Sequence, residues 1–228
     1  MKRASGILLP VFSLPSEHGI GCFSEEAYQF VDMLKKAGQS YWQILPLGPT
    51  GYGDSPYQSF STYAGNPYFI DLGTLVSEGL LTEEESREYD PEGQEEGIDY
   101  EWIYKTRFKV LKKAYARFCG RMADGHHEER REGLREREDY ERFVSENAFW
   151  LDDYSLYMAV KDKNSGVSWN EWDAPLRNRE EEALSAAREE LAEEIGFYQF
   201  QQYEFDRQWK KLHAYANEQG VKIIGDIP

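Results

Sequence analysis

The sequence is poor in cysteine, in long apolar runs and in positive charge. Its two cysteines, Cys22 and Cys119, form no Cys-x-x-Cys pair, so we expect reduced thiols rather than a disulfide framework or a metal site. No stretch approaches the roughly 20 apolar residues of a membrane span. The apolar run at 7–12 contains Pro10 and lacks the small-residue cleavage site of a signal peptide. These absences predict a soluble, cytoplasmic protein that uses no metal and no cofactor.

The deficit of positive charge narrows the range of partners. Lys and Arg number 26 against 42 Asp and Glu, which gives a net charge of −16 and argues against nucleic acid and anionic membranes as partners. Most of the excess negative charge lies in two short blocks, 83–101 and 177–194. We interpret these blocks as solvated surface that aids solubility, with docking of a protein partner as the alternative.

Apolar and aromatic residues are plentiful. A chain of 228 residues with 40% hydrophobic content can fill a sizeable core. Its 6 Trp, 16 Tyr and 12 Phe exceed what packing alone requires. The excess indicates a surface or cleft that uses flat rings.

Three apolar segments are typical of buried parallel strands, and they lie at 6–12, 41–47 and 221–228. The first two flank a predicted helix with Ser24 as N-cap and Gly38 at its end, which makes a βαβ unit. The apolar face of this helix consists of Ala27, Phe30, Val31 and Leu34. A second such helix precedes the last strand, ends at Gly220, and has an apolar face made of Phe205, Trp209, Leu212 and Ala216.

The segment between the second and third strands is far longer than a usual βα loop, so we predict an inserted subdomain over 49–196. The chain then has three parts. Residues 1–48 contain the first two strands and their connecting helix, residues 49–196 are the insertion, and residues 197–228 contain a helix and the third strand. Within the insertion we predict amphipathic helices at 102–120, 139–161 and 178–195, and charged connections or helix ends at 83–101 and 123–138. Three parallel strands leave an open edge and an unburied face, so we expect the chain to be the front part of something larger.

The richest segment is the loop 48–71, GPTGYGDSPYQSFSTYAGNPYFID. Its glycines and prolines fix a particular loop shape, while Tyr, Ser, Gln and Asn supply ring faces and neutral hydrogen-bonding groups. A sugar presents an apolar C–H face and many hydroxyls, so this loop suits a saccharide cleft. The alternative is an aromatic-rich loop that packs on its own domain and binds nothing.

Four segments together carry a family resemblance. They are GILLPVFSLPSEHGIGCF (6–23), ILPLGPTGYGDSPYQSFSTYAGNPYFIDL (44–72), WLDDYSLYMAVK (150–161) and IIGDIP (223–228). The chain resembles the N-terminal part of bacterial 4-α-glucanotransferases, the amylomaltases or disproportionating enzymes of glycoside hydrolase family 77. The similarity runs along the whole chain and is weakest across 83–138 and 178–194.

This resemblance implies an α/β fold, a (β/α)8 barrel represented by its first three strands with a largely helical inserted subdomain. It implies transfer of α-1,4-glucan segments between maltooligosaccharides. Ser55 and Tyr57 would lie at the donor cleft, with Tyr57 hydrogen-bonded to the sugar next to the scissile bond. Asp54 and Gln58 would shape the loop, and Asp226 would border the cleft as part of the site architecture. Residues expected to hold the loop in place are Asn66, Pro67 and Asp71.

Retaining transfer needs a nucleophile and an acid/base carboxylate about 5 Å apart. In the family these carboxylates come from strands later than the third, and so would lie beyond Pro228. We therefore assign no catalytic residue to this chain, and we expect the isolated 228 residues to fold poorly and to be inactive without the missing C-terminal part of the barrel.

Three other clusters are candidate sites. Asp152 and Asp153 adjoin Trp150, but neighbouring helix residues point in different directions, so a solvated helix face with Trp150 in the core is favoured over an acid pair. For Trp169 and Trp172, packing between subdomain and barrel is favoured over a sugar site. For His126 and His127, an exposed charged turn is favoured over a metal site.

Two further functions remain open beside the transferase. A non-catalytic α-glucan-binding module would bind maltooligosaccharides without transferring them. An acidic interaction scaffold would bind a protein partner in a salt-sensitive way and ignore sugar.

Overall fold

A computed structural model describes residues 3–51, 53–88, 97–123 and 131–227. Tyr52 of the loop 48–71 lies outside the described residues, as do His126 and His127. The chain divides into two compact units, one made of Met1–Ala123 with Glu204–Pro228 and the other of Asp124–Tyr203. These units are defined by contacts in space. The predicted insertion over 49–196 is defined by its position along the chain, and it stays a prediction.

The first unit contains a parallel sheet with the strand order β1-β2-β3. The strands are β1 (Gly6–Leu8), β2 (Tyr41–Gln43) and β3 (Lys222–Ile224). Ile7, Trp42 and Ile223 are paired side by side in the register. The three predicted strands and their parallel direction are thus confirmed, and the chain is an α/β structure that is mostly helical around a small sheet.

The strands are shorter and more exposed than predicted. The fully buried Trp42 in β2 anchors the core, but Leu8 in β1 is 55% exposed and Ile224 in β3 is 43% exposed. Leu8 and Ile224 share the face of the sheet opposite Trp42, because successive side chains of a strand alternate between faces. Among the described residues the helices cover only the Trp42 face, so the expectation of buried strands is wrong for β1 and β3, whereas the expected unburied face of the sheet is found on the side of Leu8 and Ile224.

The helices have the following bounds. They are α1 (Glu25–Lys36), α2 (Leu72–Ser77), α3 (Glu83–Arg87), α4 (Tyr100–Ala123), α5 (Arg131–Lys163), α6 (Ala174–Arg177), α7 (Glu181–Glu190) and α8 (Ala192–Glu218). Short 3-10 turns occupy Val11–Ser13, Pro67–Phe69 and Trp169–Glu171. None of the helices in the described part of the chain is long and apolar enough to cross a membrane. The cytoplasmic location stays a prediction.

Helix α1 follows its sequence pattern closely. Ala27, Val31 and Leu34 are buried, and Gly38, at φ 70°, takes the left-handed conformation that ends the helix. Ser24 stands at the N-cap position as predicted, but its side chain makes no capping bond. Its hydroxyl instead donates to Glu26 Oε2 at 2.5 Å. Leu212 and Ala216 of α8 pack against this helix and against Trp42.

The helices of the second unit differ from the prediction in their lengths. Helix α5 begins at Arg131, so the described residues 131–138, predicted as charged connections or helix ends, are the end of a helix. This segment lacks an apolar period, but ion pairs such as Arg137–Glu141 at 2.9 Å stabilise a charged helix along its surface. The predicted helix 178–195 is two helices, broken at Leu191, whose buried side chain joins the unit's core.

Helix α3 lies in a stretch predicted as a charged connection or helix end, and a capping box begins it. Thr82 Oγ1 accepts the Glu85 N–H at 3.2 Å, and Glu85 Oε2 accepts the Thr82 N–H at 2.9 Å. Arg117 of α4 donates to both oxygens of Glu85, at 2.6 and 2.9 Å. The Arg117 guanidinium, helped by the cap, lowers the pKa of Glu85 to about 2.

We expect this cluster to make stability depend on acid. A carboxyl whose pKa is lowered by folding stabilises the fold above its ordinary pKa, and that contribution is lost as the pH falls through the folded value. Thermal unfolding of Glu85→Gln should therefore occur below the wild-type temperature at pH 7, and the gap should close as the pH falls from about 4.5 toward about 2. The control is Glu83→Gln, whose side chain is 75% exposed and should change little. A gap for Glu85→Gln that persists at pH 2 would contradict the assignment.

Candidate functional site

The site is built on the loop that follows β2. Ile44, just after the strand, donates its N–H to the Ile224 carbonyl at 3.0 Å, which continues the pairing with β3. The loop leaves at Leu47 and returns at Asn66, whose N–H donates to the Leu47 carbonyl at 2.8 Å. Because its two ends are tied together, the segment 48–65 projects as a closed loop beyond the end of the strand.

Short-range hydrogen bonds give the loop its shape. An antiparallel bridge joins Thr50 to Ser59. Between them, Asp54 takes a left-handed backbone conformation at φ 55° and donates its N–H to the Gly51 carbonyl. Ser55 accepts twice, at its carbonyl from the Gln58 N–H and at Oγ from the Tyr57 N–H at 3.3 Å. The turn Asp54–Gln58 therefore presents Tyr57 outward.

Tyr57 and Asp226 meet directly. The Tyr57 hydroxyl donates to Asp226 Oδ2 at 2.7 Å, and Asp226 Oδ1 accepts the N–H of Ile227 at 2.9 Å. The two residues follow the carboxyl ends of the neighbouring strands β2 and β3, which is the edge where α/β sheets bind ligands. The structure thus joins two of the residues singled out in the sequence.

This pair can bind a hydroxylated ligand. The hydrogen bond to Asp226 raises the pKa of Tyr57, so the phenol stays protonated at neutral pH. Its oxygen keeps lone pairs that can accept a hydroxyl proton, and the Asp226 carboxylate is a further acceptor. Tyr57 is 50% exposed, which leaves a ring face open to the C–H face of a sugar.

Asp54 begins the same turn but lines a different space from the one that Tyr57 faces. It lines a narrow crevice of about 10 Å³ with Phe12, Pro56 and Tyr100, among others. Burial raises the pKa of Asp54, and burial together with the Asp54 charge raises the pKa of Tyr68 and of Tyr100. Gln58 is exposed and its carboxamide lies near Gly53. Ser55 and Tyr57 thus share one turn with Gln58, while Asp54 faces a space that a single water molecule would fill.

The far end of the loop is held by capping side chains. Asn66 Oδ1 accepts the Tyr68 N–H at 3.0 Å, and Pro67 begins the short turn there. Asp71 caps α2 by accepting the N–H groups of Gly73 and Thr74, at 3.2 and 2.7 Å. Cys22 Sγ lies 3.8 Å from Asp71 Oδ1, and burial, followed by the Asp71 charge, raises the pKa of Cys22 to about 12. This thiol is therefore a donor in the support of the loop and a poor nucleophile.

Two supporting residues were missed in the sequence. Arg107, which is 3% exposed, donates to the carbonyls of Ile70 and His18 at 3.2 and 3.1 Å. Gln208 of α8 accepts the Asp71 N–H at 2.7 Å. The position of Arg107 in the sequence could have indicated its supporting role. It falls on the buried face of α4 that also carries Ile103, Val110 and Leu111. A charged residue on such a face needs buried partners.

The other candidate clusters belong to the second unit. Asp152 and Asp153 are exposed, and Asp153 pairs with Arg179 at 2.7 Å. Trp150 is only half-buried and its indole N–H donates to Asn147 Oδ1, so the expectation of a core position is wrong. Trp172 is buried in the unit's core, whereas Trp169 is 53% exposed.

Comparisons with known proteins identify similar proteins along the whole chain. The family model of 4-alpha-glucanotransferases matches residues 9–228. The chain is 46% identical over 218 residues to the 4-alpha-glucanotransferase of Clostridium butyricum, covering 96% of this chain and 42% of that protein. It is 45% identical over 228 residues to the Thermus thermophilus protein of the same name, covering 100% of this chain and 43% of that protein.

A solved structure is also similar. The amylomaltase from Streptococcus agalactiae, in complex with acarbose, superimposes with a TM-score of 0.89 at 39% identity. The match covers 100% of this chain and 43% of that one. The chain therefore spans less than half the length of the relatives it matches.

Proposed function

The chain belongs to the 4-alpha-glucanotransferase family, and from this we propose that the whole protein transfers α-1,4-glucan segments between maltooligosaccharides by a retaining double displacement. This chain would contribute part of the donor-sugar cleft within a (β/α)8 barrel, and the catalytic carboxylates would come from the remainder of the barrel. The acarbose complex of the Streptococcus agalactiae relative supports an α-glucan oligosaccharide as the ligand.

The observation that carries the proposal is the hydrogen bond between Tyr57 and Asp226, at 2.7 Å. It fixes the tip of the loop to the end of β3, so that a phenol and a carboxylate face the same space. In this role Tyr57 accepts a hydrogen bond from a sugar hydroxyl, and Asp226 positions Tyr57 by accepting its hydroxyl hydrogen. Ser55, through its bond to the Tyr57 N–H, sets the direction of that side chain, while Asp54 and Gln58 shape the loop.

We expect Tyr57→Ala in the complete protein to lower kcat/KM for glucose release from maltotriose by about tenfold or more, since one hydrogen bond and one ring contact to the sugar are lost. Tyr57→Phe should lose less, because the ring remains. Asp226→Asn should also lower kcat/KM, because an amide is a weaker acceptor than a carboxylate for the tyrosine hydroxyl. The assay is steady-state glucose release at several maltotriose concentrations.

The matched control is Tyr63→Phe, an exposed tyrosine of the same loop, which should leave kcat/KM unchanged. Equal activity of Tyr57→Ala and wild type would refute the role of Tyr57. No glucose release by the complete wild-type protein would refute the transferase itself. Binding of maltoheptaose without any release would instead favour the non-catalytic glucan-binding module.

A further inference from the structure

The second unit contains a pocket of its own, with a volume of about 330 Å³. It opens between α5, the Trp169–Glu171 turn, α6 and α7, and all its lining residues belong to this unit. The volume is at the low end of the roughly 300–1,000 Å³ typical of ligand pockets. Such a space accommodates a short segment of a polymer rather than a long one.

Aromatic rings form one side of the pocket. Tyr157 and Trp172 pack with their ring centroids 5.4 Å apart, and Trp172 is fixed further by the bond from its indole N–H to the Val167 carbonyl at 3.3 Å. Trp169 also lines the pocket but is 53% exposed. The unit therefore presents a rigid ring platform beside an accessible indole, which is the surface that the C–H face of a pyranose contacts.

Charged side chains also line the pocket. Arg179 donates to Asp153 Oδ1 at 2.7 Å, and both side chains are about 60% exposed. Arg177 donates to the Asn170 carbonyl at 3.2 Å. A guanidinium has five N–H donors and a carboxylate has several acceptor sites, so these side chains offer both donors and acceptors to hydroxyl groups. Asp153 balances the charge of Arg179, and the charge of Arg177 remains.

The backbone of Arg179 is an unusual one for its residue type. It follows the C-cap Asn178 of α6 and has φ 58°, the left-handed conformation that glycine normally takes at this position. Its N–H donates to the Leu176 carbonyl at 3.1 Å, so the turn itself needs no side chain. An arginine held in this conformation indicates a use for its guanidinium at the pocket.

We propose that this pocket is a second glucan-binding site, which holds a short α-1,4-glucan segment by stacking on Trp169 and by hydrogen bonds to Arg177, Arg179 and Asp153. The proposal rests on the proposed function, because that function makes long α-glucans the ligands available to this protein. A glucan held here is anchored at a second point, which raises the local concentration of its free ends.

The test is affinity electrophoresis of the complete protein in gels that contain amylopectin. We expect Trp169→Ala to raise the apparent dissociation constant for amylopectin by about five- to tenfold, as the loss of one ring contact implies. The control is Phe149→Ala, which removes another exposed ring of the same unit and should migrate like wild type. Gels that contain dextran, an α-1,6-glucan, should retard neither wild type nor the two variants.

A second variant separates a loss of binding from a loss of folding. Arg179→Gly suits the left-handed backbone, so its melting temperature should equal or exceed that of wild type, while its retardation by amylopectin should fall. If both variants bind amylopectin as wild type does, the second site is refuted. If wild type releases no glucose from maltotriose but Trp169→Ala still loses amylopectin binding, the second site stands and the transferase proposal fails.

Discussion

Gly65→Ala is expected to destabilise the protein by about 3 kcal/mol. A Cβ at this position would lie 2.2–2.4 Å from three ring atoms of Phe205, far inside van der Waals contact. The ring cannot move away freely, because it packs edge-on against Phe23 with the centroids 5.3 Å apart. Phe23 is itself buried and also packs against Trp209. Chemical denaturation followed by tryptophan fluorescence measures the loss.

The same loop offers a matched control. A Cβ at Gly51 would meet nothing closer than the Gln58 carbonyl at 3.4 Å, which is an ordinary contact. Gly51→Ala should therefore change the free energy of unfolding by about 0.5 kcal/mol or less. If the clash with Phe205 is the cause, Phe205→Leu should restore part of the stability of Gly65→Ala, so the two changes should not add. Equal effects of Gly65→Ala and Gly51→Ala would exclude the clash.

The loop therefore has two different kinds of support. Its outer turn is fixed by Tyr57 reaching Asp226, and its base is fixed by close packing of Gly65 on Phe205. A substitution at the turn should change sugar binding with little effect on folding. A substitution at the base should change stability first and binding as a consequence.

The sequence predicts the framework of this site better than its details. The apolar runs and the sequence pattern of α1 are sufficient to predict three parallel strands, because burial and capping preferences act locally. Strand order then places Tyr57 and Asp226 at one edge of the sheet. Their hydrogen bond spans 169 residues of sequence and depends on the loop's own turns, which composition does not specify.

The misses have physical causes as well. Residues 131–138 are helical without an apolar face, so periodicity does not detect them, whereas charge pairs four residues apart do. The break between α7 and α8 at Leu191 has no Gly or Pro to signal it in the sequence. It coincides instead with burial of the Leu191 side chain in the core of the unit. The exposure of Leu8 and Ile224 depends on which elements cover each face of the sheet, and this cannot be read from a single strand.

Arg107→Met is the second change for which we expect a loss of about 3 kcal/mol. Arg107 connects the Ile70 carbonyl, which precedes the α2 cap, to the His18 carbonyl in the segment after β1. Methionine fills much of the same volume but donates nothing, so both carbonyls lose a charged donor in a buried place. Hydrogen bonds to charged groups contribute about 1.5–3 kcal/mol each, which makes this loss larger than that of a surface pair. Urea denaturation at neutral pH gives the change in the free energy of unfolding.

Two further variants separate the geometry of Arg107 from its charge. Arg107→Lys keeps the charge but replaces the planar fork with a single ammonium, so it should recover only part of the stability. Lys105→Met removes a cation from the same helix whose pair with Glu101 is exposed, and it should cost about 0.5 kcal/mol or less. If Arg107→Lys equals wild type, charge alone supports the loop. If Arg107→Met costs no more than Lys105→Met, the two carbonyl bonds do not stabilise the fold, and Arg107 has no part in holding the base of the sugar-binding loop.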